Sequence, residues 1–234
     1  MSRISVLTRT KNERNELQNL GKVLKKQSLQ PCEVVVVDNN SEDDSIKVAS
    51  DLGFHVVSTD AYTPGNALNI GVEKSVGDFV VLISSHCIPT NSKWLENLVA
   101  PLLLDDSIAG AYGRQLPTSD SKPNDSRDLY TIFGSESKLQ KSEIFFHNAN
   151  SIIRKSVWQQ IPFSSTTSNI EDRIWAKAVL QAGYKIFYTP EAAVFHPHGV
   201  NHNGNESRAA SVVRVIKDRE LYDHERNEHW FNIK

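Results

Sequence analysis

Three groups of residues have the types and spacing to do chemistry. Asp38-Asn39-Asn40-Ser41 follows directly on the β-branched run Val34-Val35-Val36-Val37. A carboxylate at a strand end accepts hydrogen bonds from a pyrimidine imide or a ribose hydroxyl, and the neighbouring amide both donates and accepts. The same residue types also start turns, because Asp and Asn bond their own backbone two residues on. Ser84-Ser85-His86-Cys87 ends the apolar run Phe79 to Ile83, and Phe195-His196-Pro197-His198 follows Val194. Imidazole suits a transition metal, Mn²⁺ rather than Mg²⁺, and it equally donates hydrogen bonds to phosphate. His196 is the preferred partner of His86, with His198 and His202 close enough in sequence to compete. Glu171-Asp172 is an acidic pair at a helix start, where one carboxylate can take a proton from an attacking hydroxyl. Ser168-Asn169 precedes the pair and has the chemistry of a helix cap, in which case the acids only complement the helix N-terminus.

The elements that must position these groups follow from periodicity. Ile4 to Thr8 reads as a buried strand, Glu13 to Gln27 as a helix with Leu17, Leu20, Val23 and Leu24 on one face, and Val34 to Val37 as a second strand. Ser45 to Leu52 reads as a helix, His55 to Ser58 as a strand, Gly65 to Ser75 as a helix and Phe79 to Ile83 as a strand. Unbroken apolar strands alternating with helices predict a parallel sheet covered on both faces. Ligands of such sheets sit beyond the carboxyl ends of the strands, where Asp38 and the Ser84 to His86 turn fall. Further on, Trp94 to Leu104 reads as a helix and Ala109 to Arg114 as a strand. The polar stretch 117–128 reads as a mobile loop beside an acceptor cleft. Asn150 to Ile153 is strand-like, a helix from Glu171 to Ala182 stops at Gly183, a strand near Lys185 to Tyr188 runs toward His196, and Glu206 to Tyr222 is a charged helical tail.

Bulk properties exclude several classes. With 26 basic and 28 acidic residues in a chain of 234, nothing favours a nucleic-acid partner. Two cysteines, Cys32 and Cys87, do not make a disulfide framework and fit a reducing cytoplasm. No stretch reaches the roughly 18 apolar residues of a membrane helix, so the chain reads as soluble, with peripheral association to a membrane-borne acceptor left open.

The order of the motifs resembles the large family-two glycosyltransferases. Thr8-Arg9-Thr10-Lys11-Asn12-Glu13 is similar to the family's "T-x-x-N-E" segment, Val35-Val36-Val37-Asp38-Asn39-Asn40-Ser41 to its "V-V-D-D/N-x-S" segment, and Pro64-Gly65-Asn66-Ala67-Leu68-Asn69-Ile70-Gly71 to its "G-x-A-x-N-x-G" helix start. Leu82 to Pro89 stands in place of its "L-D-x-D-x-x-P" turn, and Glu171-Asp172 matches its acidic pair. The turn carries no aspartate; Ser85-His86-Cys87 instead resembles the "L-D-S-H-C" turn of the polypeptide N-acetylgalactosaminyltransferases, whose histidine binds manganese, with Ser84 replacing the leading aspartate.

The resemblance implies an α/β GT-A fold with a central, mainly parallel mixed sheet in one domain. Residues 1–115 form a nucleotide-sugar-binding half, 116–205 an acceptor-binding and catalytic half, and 206–234 a helical tail. It implies nucleotide binding by Thr8, Arg9, Glu13, Asp38, Asn39, Gly65, Asn69, Ser84 and Ser85, a divalent metal, Mn²⁺ or Mg²⁺, at His86, His196 and His198, and acceptor contacts from Asn148 and Asn150. Trp175 stacks on a sugar face or packs in the core. Asp172 is the expected base, with Glu171 orienting the acceptor. Arg9, Lys11, Arg173 and Arg208 are candidate diphosphate cations, Arg9 the best placed. The implied activity is sugar transfer, by inversion as the default, from a nucleotide sugar, a UDP-sugar first, to a saccharide or lipid-linked saccharide, in surface polysaccharide or glycoconjugate synthesis at the inner face of the membrane. A sugar nucleotidyltransferase would need a Gly-rich phosphate loop after the first strand, and Thr8 to Glu13 has no glycine. A nucleotide-sugar-binding module without turnover is the non-enzymatic alternative.

Overall fold

The structure, a computed structural model of the chain, describes residues 2–59, 62–167, 169–198, 206–218 and 221. Ser168, His202 and Tyr222, named above, lie outside these residues, as do the side chain of Arg208 and most of the tail beyond Asp218.

The first half alternates strand and helix as its sequence predicts: β1 (Ile4–Thr10), α1 (Arg14–Leu24), β2 (Glu33–Asp38), α2 (Ser45–Asp51), β3 (His55–Ser58), α3 (Pro64–Lys74) and β4 (Phe79–Ile83). Helix α1 forms because Leu17, Leu20 and Leu24 recur on one face and bury there. Helix α3 starts at Pro64, whose missing N–H is one that no helix partner would accept, and Thr63 Oγ1 caps it by accepting from Asn66 N at 3.2 Å. The second half adds β5 (Ile88–Pro89), α4 (Trp94–Leu104), β6 (Ile108–Leu116), α5 (Pro123–Ile132), β7 (Lys138–Gln140), β8 (Asn150–Arg154), α6 (Lys155–Trp158), α7 (Glu171–Gln181), β9 (Lys185–Phe195) and α8 (Glu206–Asp218). Among the described helices none is long and apolar enough to cross a membrane.

The strands make one mixed sheet in the order β3-β2-β1-β4-β8-β6-β9-β5, with β7 also paired to β9. β1 to β4 run parallel to one another, β8 is antiparallel to both β4 and β6, and β6 is parallel to β9. The apolar runs look uniform in sequence, yet the pleat sends alternate residues to two cores. Leu7, Val80 and Leu82 join the core that holds Phe146 and Trp175, while Val6, Val81 and Ile83 join the one that holds Trp94 and Leu98.

Two expectations fail here. Residues 117–128 are not one loop, because α5 begins at Pro123; Leu129 is fully buried and anchors the helix, and Ser121 Oγ donates to Pro197 O at 2.9 Å, tying the preceding turn to the segment after β9. The cap of α7 does not fall on the expected Ser168-Asn169: the cap position is Ile170, and Asn169 adopts a left-handed φ of 76°. The C-terminal stop of α7 does follow the sequence. Gly183 takes φ 87°, which costs a glycine little, and its N–H bonds Leu180 O at 3.0 Å.

Candidate active site

A cleft of about 300 Å³ opens at the carboxyl end of β1, between the turn after β4, the segment before β8 and the start of α7. Arg9, Glu13, Ser84, His86, Asn148, Glu171, Asp172 and His196 line it, as do Thr10, Lys11, Tyr62, His147 and Asn169. The crevice rule for open sheets places it there, since β1 and β4 end side by side and their loops splay apart.

One wall is a chain of histidines. His86 and His196 lie 110 residues apart, yet their Nε2 atoms stand 3.3 Å apart and their rings stack at 5.2 Å. Behind His86, Glu13 Oε1 accepts from Nδ1 at 3.0 Å, and Ser85 Oγ donates to the other oxygen of the same carboxylate. Burial alone would raise Glu13, but the hydrogen bonds from His86 and Ser85 outweigh it and hold the carboxyl below its ordinary value. An ionised Glu13 only accepts, so His86 Nδ1 carries a proton, and in the neutral ring Nε2 keeps the lone pair. Behind His196, Nδ1 meets Gln115 Oε1 at 2.7 Å, which likewise leaves the lone pair on Nε2. Two lone pairs facing each other at 3.3 Å repel unless a proton or a metal cation sits between them. The spacing suits a metal: two imidazole nitrogens about 2.0–2.1 Å from a zinc-sized ion, at a roughly tetrahedral angle, stand about 3.4 Å apart. Cys87 Sγ belongs to the same cluster, whose ligand atoms all lie within 4.8 Å of one another, but burial and then the charge of Glu13 push its thiol up and keep it protonated. His198 packs edge-on against His86 at 5.0 Å, and burial lowers its pKa.

The opposite wall is acidic. Arg9 Nη1 donates to Pro64 O at 3.0 Å and to Glu171 Oε1 at 3.3 Å, joining the end of β1 to the starts of α3 and α7. Asp172 accepts from the backbone N–H of Arg173 at 2.8 Å and of Asn148 at 3.3 Å. Both carboxyls rise above their ordinary values, Glu171 by burial against the pull of Arg9, and Asp172 by burial against the pull of Arg173. Glu171 is thus committed to Arg9, while the hydrogen bonds to Asp172 among the described residues come from backbone groups.

The remaining expected residues divide. Asp38 is buried at the end of β2; one oxygen accepts from Ser41 N at 3.0 Å, so the turn chemistry is present, but Oδ1 has no hydrogen-bond partner among the described residues. Thr10, its cross-strand neighbour, has a buried hydroxyl in the same condition, and Asn39 N donates to Thr10 O at 2.9 Å. Thr8 is buried within β1 and does not line the cleft. Glu13 and Ser85, expected on the nucleotide, serve His86 instead. Gly65 contacts protein and not ligand: a Cβ there would lie 1.9 Å from Ser164 O. Asn69 is also structural, since it donates to Phe163 O at 2.8 Å and accepts from Trp158 Nε1 at 2.9 Å and Phe163 N at 3.0 Å. Asn150 accepts from Trp94 Nε1 at 2.9 Å and donates to Ala192 O at 2.8 Å, so it braces β8 and is not available to an acceptor. Trp175 is 1% exposed, packs on Phe146 and Phe163 and donates to Ile161 O at 2.9 Å; it belongs to the core and does not reach a sugar. Thr10, Tyr62, His147 and Asn169 line the cleft without having been expected to, and Gln115, behind it, gave no sequence signal beyond a polar residue in an apolar strand.

The model of the family described as Glycosyl transferase family 2 matches residues 5–161. The chain is 30% identical over 211 residues to an O-antigen chain rhamnosyltransferase of Salmonella typhimurium, covering 84% of this chain and 67% of that protein. It is 30% identical over 186 residues to one of Salmonella anatum, covering 74% of this chain and 59% of the relative, so it spans about two thirds or less of these proteins. Its fold is similar to that of a mannosyltransferase from Pyrobaculum calidifontis solved with GDP-Man and Mn²⁺, at TM-score 0.70 and 18% identity over 92% of this chain and 64% of that one. It is also similar to residues 1–349 of TarS from S. aureus, at TM-score 0.68 and 17% identity, over 92% of this chain and 65% of that one. These structures match the α/β architecture of GT-A glycosyltransferases.

Proposed function

The chain belongs to glycosyl transferase family 2 and is a glycosyltransferase, and we propose that it moves a hexosyl or 6-deoxyhexosyl group from a nucleoside diphosphate sugar to a saccharide hydroxyl. The Salmonella relatives are named for rhamnosyl transfer onto an O-antigen chain, which supports assembly of a surface polysaccharide as the setting and a saccharide, free or lipid-linked, as the acceptor. A lipid-linked acceptor would bring the enzyme to the cytoplasmic face of the membrane.

The observation that carries this reading is the pair of imidazole Nε2 atoms facing each other at 3.3 Å on one wall of a cleft whose other wall is an acidic pair. His86 and His196 would hold a divalent cation, Mn²⁺ in the first instance, with Glu13 and Gln115 fixing their tautomers. Such a cation, when bound, neutralises the charge that develops on the leaving diphosphate. This is how a turn without aspartates, Ser84-Ser85-His86-Cys87, retains a metal role like that of the N-acetylgalactosaminyltransferases it resembles. The buried, unpartnered Oδ1 of Asp38 and hydroxyl of Thr10 at the ends of β2 and β1 suit a nucleoside that supplies donors. Asp172 takes the proton of the acceptor hydroxyl as its oxygen attacks the anomeric carbon and the bond from that carbon to the diphosphate breaks on the opposite face, a single displacement that inverts the centre. Glu171, tied to Arg9, holds the acceptor-side wall in place. Residues 1–115 then supply the donor side and 116–205 the acceptor side.

Structures of similar fold hold UDP, UDP-GlcNAc and GDP-Man, so the test is a transfer assay on UDP-, GDP- and dTDP-sugars, a UDP-sugar first. Metal is stripped by chelation and Mn²⁺, Mg²⁺ or Zn²⁺ restored, and His86→Ala and His196→Ala run in parallel. Turnover should need added metal and vanish in both variants. Nucleotide affinity without turnover under every condition would identify a binding module and refute the reading.

A further inference from the structure

Gln115 is fully buried in β6 and touches two histidines at once. Its Oε1 lies 2.7 Å from His196 Nδ1 and its Nε2 lies 3.0 Å from His147 Nδ1. An amide flip would exchange these roles, so its orientation has to be fixed by a group with no such freedom. Ala149 provides it. Its backbone N–H, which can only donate, points at His147 Nδ1 at 3.4 Å. His147 Nδ1 is therefore an acceptor, the Gln115 NH₂ faces it, and the Gln115 carbonyl faces His196. It follows that His147 carries its proton on Nε2 and His196 carries its proton on Nδ1.

We infer that Gln115 is a positioning residue that carries the tautomer fixed on His147 by the Ala149 N–H across to His196 in the opposite form, so that His196 offers the cleft a lone pair and His147 an N–H. The two histidines then do different work. A lone pair serves a cation, whereas an N–H serves an anionic or carbonyl oxygen, and both side chains line the same cleft. The arrangement separates a cation-holding nitrogen from an oxygen-binding donor within one wall, and no other side chain could do so as economically. A carboxylate in this position could only accept and would draw a proton to Nδ1 of both rings. A lysine could only donate and would take the lone pair from His196. The amide alone gives and takes at opposite ends. The role of His196 rests on the metal reading above; the tautomers do not.

The test uses the full chain labelled with ¹⁵N and kept free of metal. Two-bond ¹H–¹⁵N correlations report which ring nitrogen of each histidine bears the proton, and titration calorimetry reports the affinity for Mn²⁺ alone. In the wild type His196 should show a single Nδ1–H form and His147 a single Nε2–H form. Gln115→Leu should leave His196 a tautomer mixture, keep His147 in its Nε2–H form through the Ala149 N–H, and weaken Mn²⁺ about 10- to 100-fold, the usual effect of removing a hydrogen-bond partner behind a ligand. Gln115→Glu should separate the two roles. Its carboxylate still accepts from His196, which keeps its form and Mn²⁺ affinity within about threefold, but it has no N–H for His147, whose Nδ1 takes a proton because a charged acceptor at the 3.0 Å position outweighs the Ala149 N–H at 3.4 Å. If Gln115→Leu does not fold, Gln115→Glu decides alone. The inference is overturned if the wild type shows other tautomers, or if Gln115→Glu changes both histidines or neither. A wild type with these tautomers but no Mn²⁺ binding would sink the metal reading and leave Gln115 in its role.

Discussion

Asp172→Asn separates chemistry from binding and from folding. Asp172 accepts two backbone hydrogen bonds, from Arg173 N at 2.8 Å and Asn148 N at 3.3 Å. Asparagine can keep one of them but must turn its NH₂ toward the other N–H. Losing a bond to a charged acceptor costs about 1.5–3 kcal/mol, and relief of the buried charge returns part of that. The expected net loss of stability is about 1–2 kcal/mol, or roughly 2–8 °C in Tm for a chain of this size. The effect on catalysis should be larger. Removing a base that acts only as the bond forms lowers kcat by about 10²–10⁴, equivalent to about 2.7–5.5 kcal/mol of barrier. Nucleotide affinity, which does not involve this carboxylate, should stay within about threefold. The pH dependence adds a second signature. Burial raises Asp172 above the ordinary aspartate value, and the base works only when deprotonated, so kcat should fall as pH drops through that raised pKa and the limb should disappear in the variant. Single-turnover transfer, calorimetry with nucleotide and a pH series together decide it. Near-normal turnover in Asp172→Asn with loss in Glu171→Gln would reverse the assignment within the pair, and normal transfer in both would place the base elsewhere.

Three further outcomes are expected. Asp38→Ala should weaken nucleotide binding by about 10- to 150-fold, the equivalent of about 1.5–3 kcal/mol for a charged hydrogen bond, and unchanged affinity in calorimetry would leave Asp38 as a turn residue only. Gly65→Ala places a Cβ 1.9 Å from the Ser164 carbonyl, so α3 or the 164 segment must move; urea unfolding should show a loss of about 1–3 kcal/mol. Arg9→Met removes the charge that opposes the burial-driven rise of Glu171. The folded pKa of Glu171 then climbs further above its unfolded value, so the stability that the neutral form retains at low pH is lost as pH rises through it. The variant should be about 1–3 kcal/mol less stable than the wild type at pH 8, with a smaller gap at pH 5, as read by denaturant midpoints.

Most of the fold was legible in the sequence because it depends on local pattern. The apolar runs at Val34 to Val37 and Phe79 to Ile83 can only be strands buried on both faces, and the helices between them carry one apolar stripe each. Asp38 and His86 could be named because polar residues directly after such runs fall at the sheet's ligand-binding edge, and Asp172 because it is half of an acidic pair at a helix start. The segment 117–128 was misjudged for a local reason as well: its many polar residues hid a helix whose anchor, Leu129, lies just beyond it.

What the sequence left open is which polar side chains face the cleft and which face each other. Asn69, Asn150 and Trp175 have the composition of a sugar site, and each is spent on bracing one segment against another far away in the chain. Gln115 and His147 carried no signal because their meaning lies in each other and in His196, 81 residues from Gln115. Residue type and spacing fix what a side chain is able to do and near which strand end it stands. Its hydrogen-bond partner, and hence its tautomer, charge and availability to a ligand, is set by contacts across the sheet, and those exist only once the strands have paired.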